Sequence, residues 1–232
     1  MDNLLINRHI SGQFNAELES LRSHVLVMGG LVEKQFDDAL KAMNQKDIEL
    51  AQRVHRKDQR VNEMEVAIDE ACTRIIAKRQ PTASDLRLIM SIIKTVADLE
   101  RIGDASVKIA KMASDQTIHQ QQDMIVSLFH LGKLALSMLH QVLDAFARMD
   151  DKAAIELYQL DNQINKKHRE VLGLLTDKMQ ANPALIPMLL TLVHSINDIE
   201  RVGDRCQNIC EYIIYFVTGN DVRHTGLKQL IE

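Results

Sequence analysis

The sequence predicts an all-α protein made of two tandem, similar three-helix bundles, and three observations carry that reading. Aromatic residues make up only 3% of the 232 positions, tryptophan is absent, and there are 9 Gly and 3 Pro, a composition that suits helices and leaves little for strands. Apolar residues recur at helical spacing through six long stretches. One heptad occurs twice: residues 98–104 read Asp-Leu-Glu-Arg-Ile-Gly-Asp, and residues 198–204 read Asp-Ile-Glu-Arg-Val-Gly-Asp. The two differing positions exchange one branched aliphatic for another, so the chain reads as an internal duplication with the heptad at the same place in each half.

Taken in order, residues 1–8 read as a loose leader. From about Ile10 a helical period carries Phe14, Leu18, Leu21, Val25, Met28, Val32, Phe36, Leu40 and Met43, with a soft spot at Gly29-Gly30. After a turn near residues 44–47, a second stripe uses Leu50, Val54, Val61, Ile68, Cys72 and Ile75 and stops before Pro81. Thr82, Ser84 and Asp85 supply capping residues for a third helix, which holds the first heptad and runs to about Met112. Residues 114–122 are polar and suit a junction. The fourth helix runs from about Asp123 through Leu128, Leu131, Leu134, Met138, Val142 and Phe146; the fifth carries Leu157, Ile164, Val171 and Leu175. Asn182-Pro183 separates it from the sixth, which holds the second heptad and ends near Gly219. The expected layout is a first repeat over 9–115, a second over 120–218 and a tail over 219–232, the halves aligning at an offset of about 100 to 103 residues.

On a helical wheel Glu100 and Asp104 lie one turn apart on the face of Ile89, Ile93, Val96 and Val107, while Arg87, Lys94, Asp98, Arg101 and Lys108 gather on a separate polar arc. Glu200 and Asp204 share their face with Leu189, Val193 and Ile196 in the same way. Ionised carboxylates held beside aliphatic groups cost on the order of several kcal/mol unless cations, hydrogen bonds or a metal compensate. Gly103 and Gly203 interrupt strong helical patterns, and a missing Cβ there admits a close neighbour, another backbone or a bulky ligand; for the glycines alone, tight helix packing is the favoured reading. The preceding helix of each half carries an echo, Asp58 with Asn62 and Asp161 with Asn165, at the edge of its own apolar stripe. If the helices pack antiparallel, four oxygen-bearing side chains converge in each half.

Oxygen-only donors suit hard or borderline cations such as Mg²⁺, Mn²⁺, iron or Ca²⁺ and tolerate Zn²⁺. The plainer reading, a carboxylate pair neutralised by arginine or water, stays open beside it. A metal-dependent helical-bundle enzyme is the rival class. No glutamate is followed three residues later by histidine, as di-metal bundle enzymes require, and no phosphate loop, nucleophile elbow or zinc-protease motif is present. The scattered histidines read as surface or core, His168 being the best outsider because it follows Asn165 by one turn. Cys206 and Cys210, four apart, read as reduced core residues more readily than as a thiolate pair.

A net charge of −4 with acids and bases well mixed argues against nucleic-acid binding. The longest apolar run, near residues 185–193, is far short of a membrane span, and no basic leader with a hydrophobic segment opens the chain, so neither insertion nor export is expected.

The twin Glu-Arg-x-Gly-Asp heptads, the Asp-x-x-[Val/Ile]-Asn echoes and the twice-repeated three-helix layout resemble the PhoU family, over about residues 10 to 218. The resemblance implies a cytoplasmic, dimeric, all-α protein without catalytic activity that restrains the phosphate-starvation response and phosphate uptake. It implies two partners, the ATPase subunit of the phosphate ABC transporter and the phosphate-sensing histidine kinase. It further implies iron or zinc on acidic motifs matched by Glu100 with Asp104 and Glu200 with Asp204; Asp58/Asn62 and Asp161/Asn165 depart from the motif by ending in asparagine, which lowers the site charge. A metal-dependent enzyme and a metal-free helical scaffold are the alternatives.

Overall fold

Apolar residues spaced three and four apart produce six long helices: α1 (Gly12–Gln45), α2 (Ile48–Arg79), α3 (Ala83–Lys111), α4 (Gln122–Arg148), α5 (Asp151–Ala181) and α6 (Ile186–Thr218). The computed structural model describes residues 12–223, and among them there is no strand. The expected leader, residues 1–8, lies outside the described residues.

The duplication is visible in the caps. The chain leaves α1 through Lys46 in the left-handed region, and the Asp47 carboxylate then accepts a hydrogen bond from the Leu50 N–H at 2.8 Å, satisfying an orphan donor at the start of α2. Met149 and Asp150, 103 positions on, do the same for Ala153 at 3.0 Å and start α5. Thr82 sits at the N-cap of α3 in extended backbone, but its hydroxyl makes no capping bond. The junction between repeats is less featureless than its polarity suggests. It holds two short 3-10 turns, Met112–Ser114 and Ile118–Gln120, and buries Met112, Ala113 and Ile118.

Helices α1, α2 and α3 pack on one another, as do α4, α5 and α6, and the two sets join through α3 on α6 and α1 on α4. One continuous apolar core therefore runs through both repeats, with α2 and α5 on its flanks. The α1–α4 seam explains Gly29, read as a soft spot. The helix is unbroken there, and a Cβ on Gly29 would lie 2.5 Å from Leu143 Cδ2. The mirror contact, Gly132 against Leu40, is tighter still. Gly29 and Gly132, like Leu40 and Leu143, are 103 positions apart, so one knob-into-notch contact is used twice about a pseudo-twofold.

Helix α4 is long and apolar enough, by length and composition, to cross a membrane, which the longest apolar run did not suggest. In the fold it packs against α1, α5 and α6 as a core helix. Where it is described, the tail packs on the fold. Val222 is buried, and Arg223 bonds to Asp221 with both residues beside the α3–α6 seam. Residues 224–232 lie outside the described residues.

Candidate functional site

Helices α2 and α3 together build the first acidic patch. Gly103, with no Cβ, lets the Asp58 carboxylate of α2 come against the α3 backbone: Asp58 Oδ1 lies 3.3 Å from where that Cβ would stand. The same oxygen accepts a hydrogen bond from Gln35 Nε2 of α1 at 2.9 Å. Burial, followed by the charges of Asp104, Glu65 and Asp58, holds the Glu100 carboxyl above its ordinary range. Burial and Asp69 likewise raise Glu65. Asp58, Glu65, Glu100 and Asp104 therefore sense one another's charge, with Arg101 as a nearby counter-charge. Glu100 is half-buried and Asp104 exposed at the rim.

The second patch, between α5 and α6, follows the same plan with greater burial. Asp161 Oδ1 lies 2.9 Å from the Cβ position of Gly203, and the residue is 4% exposed. Burial first, then Asp204 and Glu200, pushes its carboxyl up to about 6, despite a 2.6 Å hydrogen bond that Asp161 Oδ2 accepts from Asn165 Nδ2. Burial also raises Glu200 and Asp204; His168 opposes both shifts and so faces both carboxylates. The His168 Nε2 bonds to Asn197 Oδ1 at 3.0 Å.

Sequence reasoning thus placed Asp58, Glu100 and Asp104 in one patch, and Asp161, Asn165, Glu200 and Asp204 in the other. Asn62 differs. It is exposed and makes no hydrogen bond among the described residues, because the local acid–amide bond of Asp161 with Asn165 has no counterpart on α2. Glu65, one helical turn beyond Asn62, takes the place expected of it, and it forms with Asp69 a further i, i+4 acid pair that the spacing offered. His168, the outsider, belongs to the second patch.

The polar arc of α3 needs a larger correction. Asp98, expected on the solvated side, is 1% exposed at the α3–α6 seam. It accepts hydrogen bonds from Tyr212 Oη at 3.0 Å and Asn208 Nδ2 at 3.3 Å, and pairs with Arg101 at 3.4 Å and Arg205 at 3.5 Å. Among the described residues Asp198 keeps only Arg201, at 3.7 Å. Arg101, Lys108, Arg201 and Arg205 surround a cavity of about 210 Å³ on this seam, with Asp104 and Asp198 also on its wall.

Both acidic patches have the donor chemistry a cation needs, and each carries an unsatisfied buried oxygen: Asp161 Oδ1 in the second, Gln35 Oε1 in the first. An orphaned acceptor costs about 1–3 kcal/mol, and a cation would relieve it. As the side chains stand, no three His, Cys, Asp or Glu groups among the described residues close around one point. The cysteines are free and buried, and burial pushes Cys72 up to about 12 and raises Cys206 and Cys210 as well, so they are neutral thiols without the thiolate character of metal ligands.

Comparison with known proteins agrees with this geometry. The family model described as PhoU domain matches twice, over residues 25–113 and 128–213, once per repeat. The chain is 57% identical over 226 residues, 97% of its length and 93% of the relative's, to the phosphate-specific transport system accessory protein PhoU of Serratia marcescens. It is 54% identical over 230 residues, 99% of its length and 95% of the relative's, to the protein of the same name from Escherichia coli K12. The crystal structure of PhoU from Pseudomonas aeruginosa superposes with a TM-score of 0.85 at 45% identity, covering 90% of this chain and 100% of that one. The phosphate transport system regulatory protein PhoU from Streptococcus pneumoniae gives 0.79 at 33% identity, covering 90% and 99%. Two family domains in tandem, each built around one Gly-backed acidic patch, show that this chain belongs to the PhoU family.

Proposed function

We propose that this protein is a regulatory accessory component of phosphate-specific transport, a negative regulator of phosphate uptake and of the phosphate-starvation response. Its relatives' names carry the transport role, and the duplicated acidic patch carries the mechanism. The protein acts in the cytoplasm as a homodimer and couples the ATPase subunit of the phosphate ABC transporter to the phosphate-sensing histidine kinase. It biases the kinase toward its inactive state when phosphate is plentiful, which requires contacts that differ between the partners' states. The four cations around the seam cavity are the contact surface we favour, because α3 and α6, one from each repeat, hold them together where the repeats pack on each other. The reading is of a regulator and not of a catalyst: the patches offer carboxylates for cations but no nucleophile paired with a base.

Asp58, Glu65, Glu100 and Asp104 would hold a cation in the first patch, and Asp161, His168, Glu200 and Asp204 in the second. Iron, zinc or another divalent cation there would supply positive charge, fastening α2 to α3 and α5 to α6. The chain's own residues keep the acids half-dry and place two glycines so that the α2 and α5 carboxylates reach the α3 and α6 backbones. The role is tested by deleting the gene and assaying alkaline phosphatase in phosphate-rich medium. Derepression that the intact gene reverses is expected; unchanged repression would contradict the regulatory reading.

A further inference from the structure

Helices α3 and α6 turn the same order of groups to solvent, at an offset of 100 residues. Leu86 and Met90 on α3 are each 38% exposed, and they match Ile186 and Leu190 on α6, 37% and 47% exposed. Further along each helix comes an exposed arginine, Arg101 or Arg201. At about 100° per residue, Met90 and Leu190 project within about 20° of those arginines and Leu86 and Ile186 within about 60°, so each helix presents one continuous strip. The two helices run antiparallel: Ser91 Oγ donates to the Tyr212 carbonyl at 3.1 Å, and Asn208 Nδ2 donates to Asp98 at 3.3 Å. At about 1.5 Å of rise per residue, the apolar pairs therefore fall at opposite ends of the α3–α6 face, on the order of 40 Å apart. The cavity of about 210 Å³ lies midway between them.

The middle of this face is positive, on a chain whose net charge is −4. Arg101, Lys108, Arg201 and Arg205 meet only Asp104 and Asp198 on the cavity wall, and counting the buried Asp98 beneath them still leaves positive charge in excess. Although Asp98 and Asp198 pair with them, the Arg101 and Arg201 side chains stay 57% and 62% exposed. A second copy of the chain fits poorly here, because a twofold contact would set one basic centre against the other. A flat lipid surface would leave the concave middle unfilled. We propose that the α3–α6 face is a docking groove for an acidic helical segment of a protein partner. Its carboxylates would seat among the seam cations, and its apolar side chains on Leu86 with Met90 at one end and on Ile186 with Leu190 at the other. A groove between two helices takes a third helix through apolar anchors, and the charges set register and encounter rate. Roughly 25–30 residues of helix span the distance. Because each repeat supplies one anchor and part of the basic centre, the docked segment bridges both. The inference rests on the reading of this protein as a regulator that works by contact with its partners.

Its test immobilises the full-length chain for surface plasmon resonance. The probes are the purified ATPase subunit of the phosphate ABC transporter and, separately, the purified cytoplasmic region of the phosphate-sensing kinase. At least one is expected to bind, and more weakly as salt rises. Lys108→Glu combined with Arg201→Glu should weaken that complex by about tenfold or more. Met90→Ser combined with Leu190→Ser should weaken it by about fivefold or more, and Leu31→Ser combined with Leu134→Ser, an exposed apolar pair on other helices, should leave it within about twofold. All six side chains are exposed, so circular dichroism melts should match the native protein. In the bound probe, hydrogen exchange should slow in one acidic helical stretch. Binding unchanged in either the charge or the Met90 and Leu190 variant, or protection of a basic or non-helical stretch instead, would overturn the docking groove and leave the regulatory reading intact. Cosedimentation with phosphatidylglycerol vesicles that the charge variant loses would assign the face to a lipid surface and overturn it too. Absence of binding to either probe would overturn the partner-contact reading and this inference with it.

Discussion

Replacing Asp161 with asparagine should make the chelator-treated protein more stable at neutral pH. Burial raises this carboxyl from 3.8 to about 6. A tenfold change in proton affinity is worth about 1.4 kcal/mol, so the ionised group costs the fold up to ~3 kcal/mol. The folded state binds the proton more tightly than the unfolded chain, so stability rises as pH falls from about 6 to 4, and the full penalty applies above 6. Asp161→Asn removes the charge and keeps an oxygen to accept from Asn165. Urea unfolding followed by circular dichroism should therefore place the variant about 2 kcal/mol above the native protein at pH 7.5 and no more than about 1 kcal/mol above it at pH 4.5. Saturating Zn²⁺ should reverse the order, because a ligand at a hundred times its Kd adds about 2.7 kcal/mol to the protein that binds it and little to the variant. A variant destabilised equally at both pH values, or stabilised by metal as much as the native protein, would refute the reasoning.

Other expectations follow from the same contacts. Asp98→Ala strands Tyr212 and Asn208 at the α3–α6 seam and should cost about 2–3 kcal/mol in urea unfolding, whereas Asp198→Ala, losing one pair with an exposed arginine, should cost under about 1 kcal/mol. Gly203→Ala pushes a Cβ to 2.9 Å from Asp161 Oδ1 and should destabilise the protein and weaken metal binding, while Gly30→Ala, with open space around it, should stabilise α1 by about 0.5–1 kcal/mol. The metal-free protein as a whole should gain stability on acidification from pH 8 to 5, because burial also pushes Glu211 up to about 7 and raises Glu65, Glu100 and Glu200; Glu211→Gln should flatten the upper part of that profile.

How much of this was legible in the chain varies by element for physical reasons. The heptads and the Asp58 and Asp161 echoes could be read because duplication repeats identity, and identity survives without knowledge of packing. Glu65 was not singled out and His168 only as an outsider, since the two repeats carry different side chains there and only the register of α2 on α3, and of α5 on α6, brings the position to the patch. Asn62 and Asn165 read alike because spacing repeats, yet Asn62 is exposed while Asn165 bonds to Asp161, a difference of side-chain packing that spacing does not carry. Asp98 was misplaced because a helical wheel assigns one buried face, and α3 buries two: one against α1 and α2, the other against α6. That second face, with the α1–α4 seam, makes the core single, and periodicity within a repeat carries no information about which repeat-to-repeat face will close.

Whether the paired carboxylates are cation sites is tested most directly by elemental analysis of protein purified without chelator, compared with the Glu100→Ala plus Glu200→Ala double variant. Bound transition metal in the native protein and its loss from the folded double variant is the expected result; equal metal content in the two, or none in the native protein, would contradict it.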